Sequence, residues 1–433
     1  MKSKLQFSLS LGLVAFLAIP SILAAQGRQP SARYTVTDLG TLPGGSFSQA
    51  TFISNSGLLT GISTVADGSQ HAVAWSHGSI FDFGSPLGGP NSGAFGANAA
   101  GLIPGQAETL DSDPNNENFC DYFTGLQCRP FAWHNGLIKQ LPLLGGNNGT
   151  ASPPNSLGQI PGIAETNVAD PSCPVTPAVN GTGPQVLQVE PVIWNVKAGT
   201  ARELSLPAGD TVGMAFWIND HGQAVGSTGT CADTIAPPFA VGAHAVMWDK
   251  DGSVRDLGNL GGDANPNVLG AGNVAFAIND KAQVTGVSVL PDGVNTHAFL
   301  WTLGTGMQDL GTLPGDNISA GLGMNNVGDI AGASIAGPDP LTGVPKAVIW
   351  HNGVITDLNT VVPTDTSLFL LTAFTINDAG QVAGFGLDLN TFEVHGFVAT
   401  PISANGAPAA RGQVKPRSLP FGIRKQLRHG PYF

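Results

Sequence analysis

The sequence predicts an all-β fold in which seven copies of one four-stranded unit close into a ring. Three observations lead to this prediction: a short apolar run recurs along the chain, turns divide each repeat into four strand-length segments, and the chain begins with a segment that its last repeat lacks. The composition agrees, since 59 Gly and 32 Pro among 433 residues supply turns and 42% apolar residues supply a core. Only 11% of residues are charged, which excludes a coiled coil, a long-helix bundle and a charge-rich disordered chain.

The start of the chain has the layout of a secretory signal peptide over residues 1–25. Lys2 and Lys4 precede the apolar stretch from Leu11 to Ala18, and small residues follow up to Ala25. We expect cleavage after Ala25, a short leader over residues 26–33, and an extracellular or periplasmic protein. An uncleaved membrane anchor is the alternative, but the apolar run is shorter than the roughly 20 residues of a spanning helix and no later segment qualifies. We therefore do not expect an integral membrane protein.

Charge is distributed unevenly along the chain. All 30 acidic residues lie between positions 26 and 404, together with ten basic ones, so this body carries a net charge of −20. Such a charge repels phosphate backbones and argues against nucleic acid as a partner. Residues 401–433 form a basic tail, interrupted by Pro and Gly, that we predict to be disordered. The tail is either a solvated end or a segment that docks on an anionic surface, including the acidic face of the protein itself.

The repeated apolar run ends in Trp in six units, 49–61 residues apart, and in Ala in a seventh unit. A period near 50 indicates a solenoid, a propeller or another repeat array. The seven runs are His71–Trp75, Arg129–Trp133, Glu190–Trp194, His244–Trp248, His297–Trp301, Lys346–Trp350 and His395–Ala399.

Each unit divides into four short strands. The first strand ends at a turn marked by Ser54, Asn98, Asn155, Asn219, Asn279, Asn325 or Asn377. The second strand contains a Gly in every unit, namely Gly61, Gly105, Gly162, Gly226, Gly286, Gly332 and Gly384. The apolar run is the third strand, and a Gly-bearing hairpin turn leads to a fourth strand that in most units ends in Asp.

Four antiparallel strands per repeat are typical of a propeller blade, so residues 34–400 predict a seven-bladed β-propeller. The seventh unit stops after its third strand, whereas Tyr34–Gly40 at the start of the chain carries the Asp-Leu-Gly ending of a fourth strand. We expect this N-terminal strand to pair into the last blade and close the ring, which removes exposed sheet edges. An open β-solenoid is the main alternative.

The residue that opens the third strand lies diagonally across from the Asp that ends the fourth. Wherever the opening residue is His, its predicted partner is Asp, and Lys346 is matched with Asp357 in the same way. The predicted structural pairs are His71 with Asp82, His244 with Asp256, His297 with Asp309 and His395 with Asp38. The last pair forms only if the two ends of the chain meet.

Several segments resemble the probable extracellular repeats of the HAF family. The resemblance rests on Asp309-Leu-Gly-Thr-Leu, Ala277-Ile-Asn-Asp280 and His297-Ala-Phe-Leu-Trp301, covers roughly residues 34–400, and is clearest from 213 to 400. It implies a secreted bacterial protein, and it implies no activity and no catalytic residues.

The motifs of common catalytic sites are missing. Four of the nine His occupy one repeated position beside an Asp, and a structural hydrogen bond between two strands explains them better than a proton relay or a metal site. The repeated Asn-Asp-x-Gly segments are explained by turn chemistry rather than by calcium. No nucleophile elbow, phosphate loop or closely spaced zinc pattern occurs, so we predict no catalytic residue, metal or cofactor.

Units two to four have unusually long connections between their second and third strands. The distance from the repeated Gly to the end of the apolar run is 28, 32 and 22 residues in these units, against 14 or 15 in units one, five and seven. All four cysteines lie in these loops, which predicts disulfides in an exported protein. Among three possible pairings we favour Cys120–Cys128 and Cys173–Cys231. In loop two, Asp111, Asp113, Glu117 and Asp121 predict an acidic surface.

Two functions follow from these features. The first is a secreted, non-catalytic binding or structural scaffold that uses the face with the long loops of blades 2–4, with a glycan or cell-envelope component as a possible partner. The alternative is an extracellular carbohydrate-active enzyme, a lyase or glycosidase, with a site at the central opening of that face.

Overall fold

The computed structural model describes residues 33–402, except for 174–181, 237–239, 267, 269 and 338–342. The predicted signal peptide, all of the leader before Arg33 and the tail from residue 403 onward lie outside the described residues. No helix of the described part of the chain is long and apolar enough to cross a membrane.

The first half of the described chain forms thirteen strands. They are β1 (Tyr34–Asp38), β2 (Ser48–Ile53), β3 (Leu59–Thr64), β4 (Gln70–Ser76), β5 (Ser79–Gly84), β6 (Ser92–Ala94), β7 (Ile103–Ser112), β8 (Leu126–His134), β9 (Leu137–Gln140), β10 (Gly145–Ala151), β11 (Gln159–Ala169), β12 (Leu187–Asn195) and β13 (Thr200–Glu203).

The second half forms seventeen more strands and two short 3-10 turns, Cys231–Asp233 and Leu358–Thr360. The strands are β14 (Val212–Ile218), β15 (Ala224–Gly229), β16 (Thr234–Ala236), β17 (Ala240–Val241), β18 (His244–Trp248), β19 (Val254–Asp256), β20 (Val274–Ile278), β21 (Val284–Val289), β22 (Thr296–Thr302), β23 (Gly306–Asp309), β24 (Ile318–Met324), β25 (Ile330–Ala336), β26 (Val344–His351), β27 (Val354–Asp357), β28 (Leu368–Ile376), β29 (Val382–Asp388) and β30 (Val394–Pro401).

These strands form seven four-stranded antiparallel sheets and one small hairpin, β16–β17. Blades 1, 2 and 3 are β2–β5, β6–β9 and β10–β13, and blade 4 is β14, β15, β18 and β19. Blades 5 and 6 are β20–β23 and β24–β27, and blade 7 is β28, β29, β30 and β1. The inner strand of each blade contacts the middle strands of the preceding blade around the whole circle. The predicted seven-bladed β-propeller is confirmed.

The ring closes between the two ends of the described chain, as the sequence predicts. Strand β1 pairs antiparallel with β30, with Tyr34 opposite Pro401 and Asp38 opposite Phe397. Val36 and Tyr34 pack against the buried cluster that includes Phe397 and Ala399. The first strand is therefore the outer strand of the last blade.

The Gly in each second strand is required by close approach to the inner strand of its own blade. A Cβ atom at any of the seven positions would lie 1.8–2.3 Å from a carbonyl oxygen of that inner strand, for example 1.8 Å from Ala320 O at Gly332. In five of the seven blades the register of the two strands shifts at this point, which marks a β-bulge. Any side chain here would displace the backbone of the inner strand.

The repeated Trp joins four of the blades to the blade before it. The indole Nε1 donates to a backbone carbonyl at the end of the preceding blade in four cases, Trp75 to Leu39, Trp194 to Pro142, Trp248 to Ser205 and Trp350 to Leu310, at 2.7–3.1 Å. These side chains are 0–3% exposed. A buried indole needs a partner for its N–H, and this bond satisfies it while packing neighbouring blades together.

Candidate functional site

The His–Asp pairs lie at the rim of the propeller, on the face that carries the loops between second and third strands. His71 Nδ1 lies 3.0 Å from Asp82, His297 Nδ1 lies 2.8 Å from Asp309, and His395 Nδ1 lies 2.9 Å from Asp38. In each Asp a carboxylate oxygen also accepts the N–H of the Gly two residues later. The Asp-x-Gly repeat thus fixes the carboxylate, and the His binds a carboxylate that is already oriented.

The predicted pair of His244 with Asp256 is wrong. His244 Nδ1 lies 3.0 Å from Asp210 instead, and Asp256 accepts the N–H of Gly258. Asp210 precedes the inner strand of blade 4, and its side chain is 6% exposed. A carboxylate that is shielded from water gains more from a hydrogen-bond partner than an exposed carboxylate does. His244 therefore binds Asp210.

Lys346 departs from the predicted pairing in blade 6 as well, because its Nζ forms its ion pair with Asp316, at 2.6 Å. Asp316 also precedes the inner strand of its blade, and its side chain is 2% exposed. An Asp in the linker between blades therefore competes with the Asp that ends the fourth strand for the basic residue that opens the third strand.

The structure joins Cys120 to Cys128 and Cys173 to Cys231. The first disulfide closes a short loop within blade 2, and the second links the loops of blades 3 and 4 across 58 residues of sequence. We refer to residues 106–128, 165–173 and 230–236, the loops that these disulfides connect together with the strand ends that lead into them, as the loop platform.

Apolar contacts anchor the blade 2 part of the loop platform on its neighbours. Phe119 is 1% exposed and packs with Ile163 and Val189 of blade 3 and with Met214 on the inner strand of blade 4. Tyr122 joins the same cluster, and its hydroxyl accepts from Gln106 and Gln70. Loop two therefore reaches over blade 3 towards the axis of the propeller.

The four acidic residues predicted to form an acidic surface on loop two divide into two pairs. Asp111 and Asp121 are exposed, whereas Asp113 and Glu117 are only 5% and 1% exposed. For Asp113 and Glu117 the surface prediction is wrong, because their carboxylates accept backbone N–H groups of the loop itself and of the adjacent loop. Asp113 Oδ1 accepts from Glu117 N, and Glu117 Oε1 accepts from Leu187 N at 2.9 Å.

These two carboxylates meet Glu165 of blade 3, which is fully buried. Oxygen atoms of Asp113, Glu117 and Glu165 all lie within 4.8 Å of one another. Asn148 Nδ2 bridges the group, 2.8 Å from Asp113 Oδ2 and 3.1 Å from Glu165 Oε1. Burial first, and the Glu165 carboxylate second, raise the pKa of Glu117 to about 8. The Glu117 carboxyl group therefore keeps its proton at neutral pH, and a protonated carboxyl group can donate a hydrogen bond to a neighbouring carboxylate.

Glu190 on blade 3 and Glu108 on blade 2 are two further buried acidic residues. Glu190 takes the place of the repeated His, is 7% exposed, and its Oε2 has no hydrogen-bond partner among the described residues. Burial, followed by the nearby Glu203, raises the pKa of Glu190 to about 8. Glu108 is bound by Asn91 and Thr124, and burial raises its pKa as well.

One other group of metal-ligand atoms lies within 4.8 Å in the described residues, formed by Asp38, Asp388 and His395. Here His395 already binds Asp38 as in the equivalent pairs of other blades, and Asp388 Oδ1 accepts the N–H of Asn390 at 2.6 Å. Both groups are thus explained by contacts within the chain.

A ring of Asn side chains surrounds the axis at the opposite face. Six Asn at the turn after the inner strand each donate, through Nδ2, to the backbone carbonyl of the equivalent residue in the next blade at 2.9–3.1 Å. The bonds run from Asn98 through Asn155, Asn219, Asn279, Asn325 and Asn377 to Ser54. The same Asn also accept from their own turns, for example Asn219 Oδ1 from Gln223 N. The expected turn chemistry is thus joined by a link between blades that sequence reasoning missed.

Comparison with known proteins shows the fold alone. No family model matches the chain, and no curated protein matches it. Among solved structures, an oligogalacturonate lyase in complex with manganese aligns with a TM-score of 0.51 at 12% identity, over 87% of this chain and 96% of that one. An acylaminoacyl peptidase of Pyrococcus horikoshii aligns with a TM-score of 0.45 at 8% identity, over 79% of this chain and 49% of that one. The similarity to the lyase is one of fold.

Proposed function

We propose that the protein is an exported, non-catalytic β-propeller that acts as a binding or structural scaffold, and that its recognition surface is the loop platform of blades 2–4. The observation that carries this proposal is the way the platform is held. Loops of three blades are fixed to one another by two disulfides and by the buried side chain of Phe119. The cluster of three carboxyl groups from Asp113, Glu117 and Glu165 adds a further link. Loops that a rigid scaffold holds in place are the usual site of recognition.

The outer side of this platform offers groups for a partner. Leu110, at the base of loop two, is 77% exposed, and Val168 in blade 3 is 49% exposed. Asp111, which follows Leu110 in sequence, and Asp121 of the same loop are also exposed. Apolar side chains next to acidic ones suit a hydroxyl-rich or amphipathic partner, and this supports a glycan or a cell-envelope component.

A carbohydrate-active enzyme is the second candidate. Such an enzyme needs acid and base side chains that converge on one substrate. The His–Asp pairs are instead spread around the rim, each His bound to its own Asp. The lyase named above shares the fold at 12% identity, and its bound manganese is a property of that protein. Incubation with polysaccharides is expected to release neither reducing sugars nor unsaturated ends.

Binding to an array of polysaccharides and to isolated cell envelopes tests the proposal. We expect the Leu110→Ser, Asp111→Asn, Asp121→Asn triple variant to bind at least about tenfold more weakly, because exposed groups at the centre of an interface dominate affinity. Leu137→Ser with Asp251→Asn is the matched control, since both residues lie at hairpin turns on the opposite face. Equal binding by the triple variant and the wild type would remove the platform from the proposal.

Export is a separate part of the proposal. Two disulfides are typical of proteins that fold in an oxidising compartment, which supports it. Expression in a bacterium with a working secretion system, followed by N-terminal sequencing, is expected to give a chain that begins at Gln26. A cytosolic, full-length product would contradict it.

We also propose membership of the HAF family. The residues that carry the resemblance have structural roles here: His297 and Asp309 bind each other, and Asn279 links blades 5 and 6. Structures of other HAF repeat proteins are expected to show the same two contacts at the same repeat positions.

A further inference from the structure

A pocket opens on the axis of the propeller at the face opposite the loop platform. Its volume is about 180 Å³, and residues of all seven blades line it. Trp217 of blade 4 and Phe52 of blade 1 form its floor, with ring centroids 5.5 Å apart across the axis. Blades 4 and 1 are not neighbours, so these two side chains span the centre of the ring.

Trp217 fits there because the equivalent positions of most other blades are small. They are occupied by Gly96, Pro153, Ala277, Gly323 and Thr375. The indole ring contacts the buried clusters of blades 1–2, 4–5 and 5–6. Its Nε1 has no hydrogen-bond partner in the part of the chain that the structure describes, unlike the repeated Trp of blades 1, 3, 4 and 6.

Polar side chains form the mouth of the pocket, one residue beyond the Asn ring. Asp220 Oδ1 accepts from Ser156 N, Asp280 Oδ1 accepts from Asp220 N, and Asp378 Oδ1 accepts from Asn326 N, at 2.8–2.9 Å. These bonds hold the carboxylates in fixed positions around the axis. Asp378 Oδ2 also accepts from Asn55, whereas Oδ2 of Asp220 and of Asp280 has no partner among the described residues.

The charge of this pocket selects the class of ligand. Its described lining residues include three Asp and no Lys, Arg or His. An anionic ligand would be repelled, and a neutral ligand would leave the converging carboxylates without a counter-charge. A cation with apolar substituents matches both the carboxylates at the mouth and the aromatic floor, because an ammonium group is attracted to the face of an indole ring.

We propose that this axial pocket binds a small organic ammonium ion, with the alkyl groups on its nitrogen against Trp217 and Phe52 and its charge balanced by the carboxylates of Asp220 and Asp280. The site is independent of the loop platform, which lies on the other face. Either can hold if the other fails.

Calorimetric titration of the full mature chain with choline tests the proposal, with 3,3-dimethylbutan-1-ol as the neutral analogue of the same shape. We expect choline to bind at least about tenfold more tightly than the alcohol, in line with a desolvated cation–π contact reinforced by carboxylates. Binding by the alcohol as tight as that of choline, or no choline binding at all, would overturn the proposal.

The Asp220→Asn, Asp280→Asn double variant locates the site. The amide oxygen of Asn still accepts the backbone N–H that each Asp accepts, so the mouth keeps its geometry while two charges are lost. We expect a loss of choline affinity of about tenfold or more and an unchanged melting temperature. The matched control is Asp67→Asn with Asp292→Asn, two exposed residues of the opposite face that also accept a backbone N–H, and it should leave choline binding as in the wild type. Equal weakening by both double variants would show a general charge effect and reject the pocket.

Discussion

Blades 5–7 and blades 2–4 are built on the same repeat but treat their charged residues differently. In blades 5 and 7, charge lies at the rim, where His297 and His395 bind Asp at the end of a fourth strand. In blades 2 and 3, Arg129 and Glu190 replace the His, and acidic side chains turn inwards. Seven acidic residues of the described chain are buried as whole residues, and all but Asp388 belong to blades 2 and 3. Asp210 and Asp316 bury their side chains only.

The two groups of blades therefore have different roles in the fold, one in forming the ring and the other in holding the long loops. All seven blades keep the repeated Gly contact, and blades 1, 5 and 7 also keep the His–Asp pair at the end of the fourth strand. The blades with long loops use disulfides and protonated carboxyl groups to hold extra chain on top of the ring. We therefore expect substitutions in the regular blades to destabilise the whole fold. Substitutions in the loop platform should affect the platform alone.

Removal of residues 34–40 is expected to have the largest effect. It deletes the outer strand of blade 7 and leaves the edge of β30 unpaired, so the ring opens. Thermal unfolding followed by calorimetry should lose the single cooperative transition of the wild type. A shortened chain that melts as the wild type does would show that the closed ring is not what stabilises the fold.

Removal of the two disulfides is expected to cost less, and the cost should differ between them. Cys173–Cys231 spans 58 residues and Cys120–Cys128 spans 8, which corresponds to about 4 and about 2.5 kcal/mol of unfolding free energy through the entropy of the unfolded chain. Denaturant titration of the two Cys→Ala pair variants measures both. The prediction fails if the short loop matters more.

A single methyl group in a regular blade is expected to cost about 1–3 kcal/mol of unfolding free energy. Gly332→Ala places its Cβ 1.8 Å from Ala320 O and must shift the inner strand of blade 6. Gly304→Ala is the matched control, because no atom lies within 4 Å of its Cβ. The same denaturant titration compares the two, and equal stability of both variants would refute the close-approach explanation.

The buried carboxyl groups predict a smaller effect that depends on pH. The pKa of Glu117 rises from 4.5 to about 8 on folding, so the folded state holds a proton that the unfolded chain releases. This stabilisation is fully present below about pH 4.5 and is lost as the pH rises through about 8. Glu117→Gln mimics the protonated form, so its melting temperature should fall less than that of the wild type between pH 6 and pH 9, a range chosen around the shifted pKa.

Asp111→Asn is the control for this measurement, since Asp111 is exposed. Its melting temperature should follow the wild type across the range. Identical pH profiles for Glu117→Gln and the wild type would mean that the carboxyl group is ionised in the folded protein.

The sequence predicts features that depend on repetition and fails where one copy departs from the pattern. Seven blades, ring closure by Tyr34–Asp38 and the His395–Asp38 contact follow from comparing equivalent positions along the chain. His244 binds Asp210 because a linker residue of its own blade is buried nearby, and no repeat position announces that. Asp113 and Glu117 are found inside because the long loop folds back over blade 3, a path that composition does not determine.

The axial pocket was missed for a related reason. Phe52, Trp217 and the small residues at Gly96 and Gly323 lie far apart in sequence, and only the ring brings them to one axis. The signal available was a large residue in two units where the other five have small ones. The Asn ring was likewise visible as a repeated turn residue, but its bond to the next blade needs the geometry of neighbouring blades.

Hydrogen–deuterium exchange on the wild type and on the variant with all four Cys replaced by Ala tests the central claim most directly. If the loop platform is a unit held on top of a self-sufficient ring, exchange should accelerate in the described parts of residues 106–128, 165–173 and 230–236 and stay unchanged in blades 5–7. An equal acceleration in all seven blades would contradict the account, because it would mean that the loops of blades 2–4 help to hold the ring together.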